Sequence, residues 1–199
     1  MNILSGFLKS ALLATAFSFV SQIAFCGGTV TGTIDASMPK YKEGAVVYLK
    51  GGHGKIKPKT ATIEQRNLAF TPHVVAIPVG STVSFVNRDK VNHDIFADDP
   101  SKKLDINTGK HGEFKKVVFD KPGAVNLLCT IHAEMSGYIV VVDSNYYAIT
   151  GDDGKFSIRN VPAGRYEVVT WSEKLKKTEK QTVTVKDGRT SNVAISLQK

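Results

Sequence analysis

The chain has 199 residues, a formal net charge of +8 at pH 7 and two cysteines. The basic excess is modest and no basic stretch is interleaved with a platform of aromatic residues. That excludes nucleic acid as a partner and leaves acidic protein surfaces as the ones such a charge would steer toward. Two cysteines in segments of different character, Cys26 and Cys129, exclude a disulfide-stapled framework.

Met1 to Cys26 reads as a secretory signal, with one positive charge at Lys9, an apolar run from Ala11 to Val20, and small residues suited to cleavage before Gly27. The run falls short of the roughly 20 residues a membrane span needs and is interrupted by Ser21 and Gln22, so no stable membrane insertion is expected after cleavage. Acylation of Cys26 as a lipoprotein is the alternative, and bulky Phe25 ahead of it argues against that. The expectation is a soluble periplasmic or secreted protein, exported unfolded because no twin-arginine pair is present. Removing the signal leaves Cys129 as the one cysteine and a charge of +7. A lone thiol in an oxidising compartment is either a liability or a ligand.

Beyond residue 27 the chain is a succession of short β-branched runs bounded by turn formers. The pattern predicts strands at Gly28–Ile34 and Ala45–Lys50, then a solvated basic linker around Gly54–Lys59. Further strands are predicted at Thr60–Gln65, Val74–Pro78, Thr82–Asn87, His93–Phe96, Gly112–Phe119, Gly123–Leu128 and Gly137–Val142, with Ala97–Lys103 as a surface excursion. Tyr147–Thr150, the turn Gly151-Asp152-Asp153-Gly154 and Lys155–Arg159 read as a hairpin. Strands at Arg165–Trp171, Gln181–Val185 and Asn192–Leu197 complete the series. No window sustains helical periodicity, so the fold class is all-β.

The chemistry concentrates in Cys129-Thr130-Ile131-His132-Ala133-Glu134-Met135, together with His93, which lies 36 residues ahead of the cysteine. A thiolate, two imidazoles and a thioether are the donors of a trigonal copper centre with a weak axial methionine. The spacing lets a strand end at Cys129, a turn return His132 to the same metal, and Met135 close the loop before the next strand. A zinc site and an empty relic are the competing readings. Structural zinc sites want four Cys or His ligands, and a thioether serves zinc poorly. His53, His73 and His111 have no ligand neighbour in sequence and read as surface histidines. The lysines at 174, 176, 177 and 180 read as a solvated face, with the guiding of docking as the alternative, and Trp171 as packed in the flanking sandwich.

From Phe70 to Asp143 these residues resemble a cupredoxin, and the Cys129-x-x-His132-x-x-Met135 loop is spaced as in amicyanin. Phe70-Thr71-Pro72, Gly80 to Asn87, Pro122-Gly123 and Gly137 to Val142 carry the rest of the likeness. It implies one mononuclear copper held by His93, Cys129, His132 and Met135, with His132 as the electron's port and Ile131 and Ala133 in the docking patch. It also implies that the Asp94 main-chain N–H donates toward the Cys129 sulfur and that Asn87 ties the ligand loops. Two positions depart from the pattern: Ile131 stands where proline is usual, and Asp94 where asparagine is common. The flanking segments resemble a carboxypeptidase regulatory-like β-sandwich, through the early strands and through Thr150-Gly151-Asp152-Asp153-Gly154-Lys155-Phe156 and Gly164-Arg165-Tyr166. The implied organisation is a seven-stranded sandwich, 27–54 and 144–199, with a Greek-key cupredoxin sandwich at 55–143 inserted into it.

Three functions follow as expectations. One is a non-catalytic carrier of single electrons between redox proteins, such as a dehydrogenase donor and a cytochrome acceptor. The others are a periplasmic copper-delivery protein, and a carbohydrate- or protein-binding module with an accessory copper site.

Overall fold

Alternation with a period of two governs most elements. In β6, Ser81, Val83, Phe85 and Asn87 are buried while Thr82, Ser84 and Val86 between them are half-buried. The computed structural model describes residues 27–52, 54–177 and 180–199, so the predicted signal and His53 lie outside the described residues. Among the described residues the elements are seventeen strands and one short 3-10 helix, Pro39–Tyr41. The fold is all-β, and no helix among these residues is long and apolar enough to cross a membrane.

Four sheets result. β1 (Gly28–Ala36), β13 (Lys155–Val161), β15 (Lys176–Lys177) and β17 (Thr190–Gln198) form one, in the order β13-β1-β17-β15. β2 (Val46–Lys50), β12 (Tyr147–Ile149), β14 (Gly164–Trp171) and β16 (Gln181–Val185) form the second, in the order β12-β2-β14-β16. Val30, Ile34, Leu49, Phe156, Tyr166 and Ile195 pack in one core between them. β1 and β17 run parallel and close together: a Cβ on Gly32 would lie 2.1 Å from the Val193 carbonyl oxygen and 2.6 Å from the Phe156 ring. Only glycine fits there.

The third sheet joins β3 (Thr60–Gln65), β4 (Phe70–Thr71), β6 (Ser81–Asn87) and β9 (Phe114–Phe119) in the order β4-β3-β6-β9. The fourth has the order β5-β11-β10-β7-β8 and contains β5 (Val74–Pro78), β7 (His93–Asp99), β8 (Lys102–Gly109), β10 (Gly123–Leu128) and β11 (Ser136–Val142). Ile63, Phe85, Phe119, Leu127 and Ile139 fill the core between these two, and Cys129 and Met135 belong to the same core.

The two sandwiches stack through their outer faces. In β11, Ile139 and Val141 face the copper-side core, while Val140 and Val142 face the other way. There they meet Val46, Tyr48, Tyr147 and Trp171 of the second sheet. A strand covered on both sides explains the unbroken Ile139-Val140-Val141-Val142 run. Entry to and exit from the copper-side sandwich run side by side. The Lys57 N–H donates to Asn145 Oδ1 (2.8 Å), Asn145 Nδ2 donates to the Lys55 carbonyl (3.0 Å), and Ser144 Oγ donates to the Leu49 carbonyl (2.7 Å).

Four sequence expectations change. Ala97–Lys103 is no excursion: β7 continues to Asp99, turns at Pro100-Ser101, and β8 returns along it, pairing Ala97 with Leu104 and Asp98 with Lys103. The charged residues sit on the outer face of this ribbon, which hid its alternation. Tyr147–Thr150 and Lys155–Arg159 do not pair as a hairpin. β12 pairs with β2 and β13 with β1, so the Gly151–Gly154 turn carries the chain across from one sheet to the other. The flanking sandwich has eight strands rather than seven, the addition being two-residue β15. Trp171 packs at the junction against Tyr138, with ring centroids 5.1 Å apart, and not inside the sandwich core.

Candidate metal centre

Three donors converge at one end of the copper-side sandwich. His93 opens β7 and is fully buried, Cys129 follows β10 with 4% exposure, and His132 is half-buried in the β10–β11 loop. The His93 and His132 Nδ1 atoms are 3.1 Å apart, and the Cys129 sulfur is 4.0 and 3.9 Å from them. Ordinary metal–imidazole and metal–thiolate bonds are about 2.0 and 2.3 Å. A point in the plane of these donors about 2.0 Å from each nitrogen falls about 2.4 Å from the sulfur, so the triangle has the size of a trigonal metal site. The soft thiolate, with a buried Met135 closing the same loop, fits copper and not the closed four-ligand pattern of structural zinc.

The loop is held from within. The Cys129 N–H donates to the Met135 carbonyl (3.3 Å) and the Met135 N–H to the His132 carbonyl (3.1 Å). Asp94 then fastens it to β7. Its Oδ1 accepts the Thr130 N–H at 2.7 Å, and its Oδ2 accepts the Thr130 hydroxyl. So the residue that departs from the cupredoxin pattern engages the ligand loop through its carboxylate, placing a negative charge on the neighbour of His93 and against the neighbour of Cys129.

Behind His93 lies a residue that sequence reasoning passed over. Asp89 Oδ2 accepts from His93 Nε2 at 3.0 Å, which leaves Nδ1 as the free lone pair for the metal. The same carboxylate accepts the Asn67 and Leu68 N–H groups, at 2.7 and 3.0 Å. Asn67 and Leu68 have φ of 55° and 57°, a left-handed pair that a leucine enters at a cost, and Asp89 holds that turn. Burial pushes the Asp89 carboxyl up, but the Leu68 and Asn67 N–H groups and the His93 ring outweigh it and hold it below the usual range. An aspartate four residues ahead of a ligand histidine was the available signal, and without the turn geometry nothing distinguished it from a surface charge.

Asn87 joins three segments: its Nδ2 donates to the Val91 and Gly109 carbonyls, both at 2.8 Å, and its Oδ1 accepts the Asp89 N–H at 2.8 Å. Thr108 Oγ1 donates to the His93 carbonyl (2.9 Å), and Gln65 Nε2 to the Asp94 carbonyl (2.9 Å). Of the histidines outside the triangle, His111 is exposed and bonds the Arg88 carbonyl, while His73 contacts Ser136 and Glu173.

A thiolate and two imidazoles at the loop end of a mixed β-sandwich make up the donor set of a mononuclear copper centre. Residues 58–142 match the family of copper binding proteins, plastocyanin/azurin family, and residues 130–198 match the carboxypeptidase regulatory-like domain. The chain therefore contains a plastocyanin/azurin-type copper-binding domain and a carboxypeptidase regulatory-like domain. Among solved structures it is similar to the Cu-containing nitrite reductase (NirK) from Thermus scotoductus SA-01, at 30% identity and TM-score 0.38 over 56% of this chain and 28% of that one. It is similar to a purple cupredoxin from Nitrosopumilus maritimus, at 26% identity and TM-score 0.36 over 41% of this chain and 99% of that one. A reduced amicyanin variant is similar at 17% identity and TM-score 0.40, over 48% of this chain and 98% of that one. The chain spans little more than a quarter of the reductase's length. No curated protein matches the chain.

Proposed function

We propose that this chain is an exported carrier of single electrons, in which His93, Cys129, His132 and Met135 would hold one copper. The observation that carries this reading is the convergence of Cys129 Sγ with two imidazole Nδ1 atoms within 4.0 Å. Bound copper supplies a one-electron couple between its two oxidation states. The protein's part is to hold the donors still, so that little rearrangement accompanies the change of charge. Asp89 fixes the His93 tautomer, Asp94 and Asn87 brace the loops, and the β scaffold carries them.

His132 is the electron's port. Its ring is half-buried, and its neighbours Ile131 and Ala133 are exposed, giving an apolar contact surface for a redox partner. Donor and acceptor are larger redox proteins, a dehydrogenase and a cytochrome being the pair suggested by the loop. The site is a carrier's rather than a catalyst's because Cys129 and His93 are closed off from substrate. Export rests on the amino-terminal signal pattern. The copper-side sandwich, 55–143, is an insertion in the regulatory-like sandwich of 27–54 and 144–199, a reading supported by the sheets that pair strands from before and after it.

The test is to purify the exported protein with copper and record its visible, EPR and electrochemical behaviour. An intense thiolate-to-copper band with a reversible one-electron wave is the expected result. A colourless complex that yields its copper rapidly to a chelator would reject electron transfer in favour of metal delivery.

A further inference from the structure

We infer that His73 and Glu173 form a latch across the junction of the two sandwiches that sets the position of Met135, so that the regulatory-like half tunes the copper centre from outside it. The inference rests on the copper reading above and deepens it. A thioether bond to copper is long and weak, so the sulfur's distance from the metal is decided by where the chain puts the methionine. Two of the hydrogen bonds that govern this chain segment lie inside the ligand loop and move with it. The third does not. His73 Nδ1 meets the carbonyl of Ser136, the residue after Met135, at 3.1 Å.

His73 stands just ahead of β5, and its own carbonyl accepts the Tyr138 N–H at 2.8 Å. It therefore grips the start of β11 at Ser136 and again at Tyr138. Between them a Cβ on Gly137 would lie 3.0 Å from Phe70 Cβ and 3.2 Å from the His73 carbonyl oxygen, so this stretch is pressed home with no slack. The other ring nitrogen of His73 reaches Glu173 Oε2 at 3.1 Å, and Glu173 belongs to the other sandwich, just beyond β14. Both partners of the ring are acceptors, and a ring that donates at both nitrogens satisfies both. The ring is also packed edge-on to Tyr138, with centroids 5.5 Å apart, and Tyr138 lies against Trp171. An exposed His–Glu contact of this kind adds little to stability, and the junction already has its own apolar contact. The pair's effect is on position.

His73 is thus a positioning residue, and the copper-loaded full chain provides the test. His73→Ala is expected to change the ratio of the visible copper bands, the EPR hyperfine splitting and the midpoint potential, with the melting temperature nearly unchanged. Glu173→Gln shifts the same quantities in the same direction by less, and the double variant goes no further than His73→Ala alone. His73→Gln, whose amide can donate to the Ser136 carbonyl, moves the signature back toward the unmodified protein. A His73→Ala protein with an unchanged signature, or single effects that add independently, would overturn the latch and leave the copper reading standing. Absence of the thiolate band from the unmodified protein would overturn both.

Discussion

The two sandwiches use a similar number of strands but bury very different things. The regulatory-like one encloses an almost wholly apolar core, and its buried polar residues are Ser144, at the neck, and Thr150. The copper-side one buries Gln65, Ser81, Asn87, His93 and Thr108. Four of these five touch a ligand or the segments that carry one, and each makes a hydrogen bond to a named partner, with Gln65 Oε1 the one atom among them left without one. Burying a polar side chain costs free energy unless it is hydrogen-bonded, and a satisfied network fixes one arrangement. A sandwich that only has to hold together can be filled with hydrocarbon; one that must hold three donors at metal distance builds its frame from hydrogen bonds.

The contrast can be broken at its centre first. Cys129→Ser removes the thiolate and should abolish the intense visible band of the copper-loaded protein while leaving its β-sheet circular dichroism intact; a surviving band would mean that the sulfur is not a ligand. Asp89→Ala strikes the frame. It frees the His93 ring and strands the Asn67 and Leu68 N–H groups, so copper affinity should fall by about 10–100-fold. Stability should drop by about 2 kcal/mol as read by denaturant titration, whereas loss of an exposed aspartate in the regulatory-like half should cost well under that. Asp94→Asn keeps an acceptor for Thr130 and removes a negative charge beside the site. The reduced, less positive copper is then favoured, and the potential should rise by about 40 mV, on the order of 1 kcal/mol for one electron. The smallest effect lies at the junction. Burial pushes the Glu173 carboxyl up, but His73 and Lys174 outweigh it and hold it below its usual range. Its ion pairs therefore stabilise the protein above the ordinary carboxylate range, and this contribution is lost as the pH falls through the lowered value. Melting temperatures should decline in acid, and slightly less so in Glu173→Gln.

Much of this architecture was legible because period-two alternation and turn residues are local signals. They placed β3, β5, β10 and β16 at the observed residues and the ends of most other strands within one or two. What failed was what local patterns do not carry. The ribbon of β7 and β8 was hidden because Asp98, Lys103 and Asp105 cover its outer face, so hydrophobicity alone marked it as loop. The Gly151–Gly154 turn has hairpin residues, yet whether two strands pair or part into different sheets is decided by the cores on either side. The donors could be read from spacing. Asp89 could not, since its role depends on a turn formed by Asn67 and Leu68 more than twenty residues earlier.

The pinch at Lys55, Lys57, Ser144 and Asn145 has a consequence for engineering. On the insertion proposed above, the copper-bearing module leaves its host at the point where it came in, and the host's strands β2 and β12 remain paired across the gap. On that reading the module is a plug seated in a socket, and a short glycine-containing bridge from Lys50 to Asn145 would close the socket without it. Any other small unit whose termini sit equally near each other could be seated in its place.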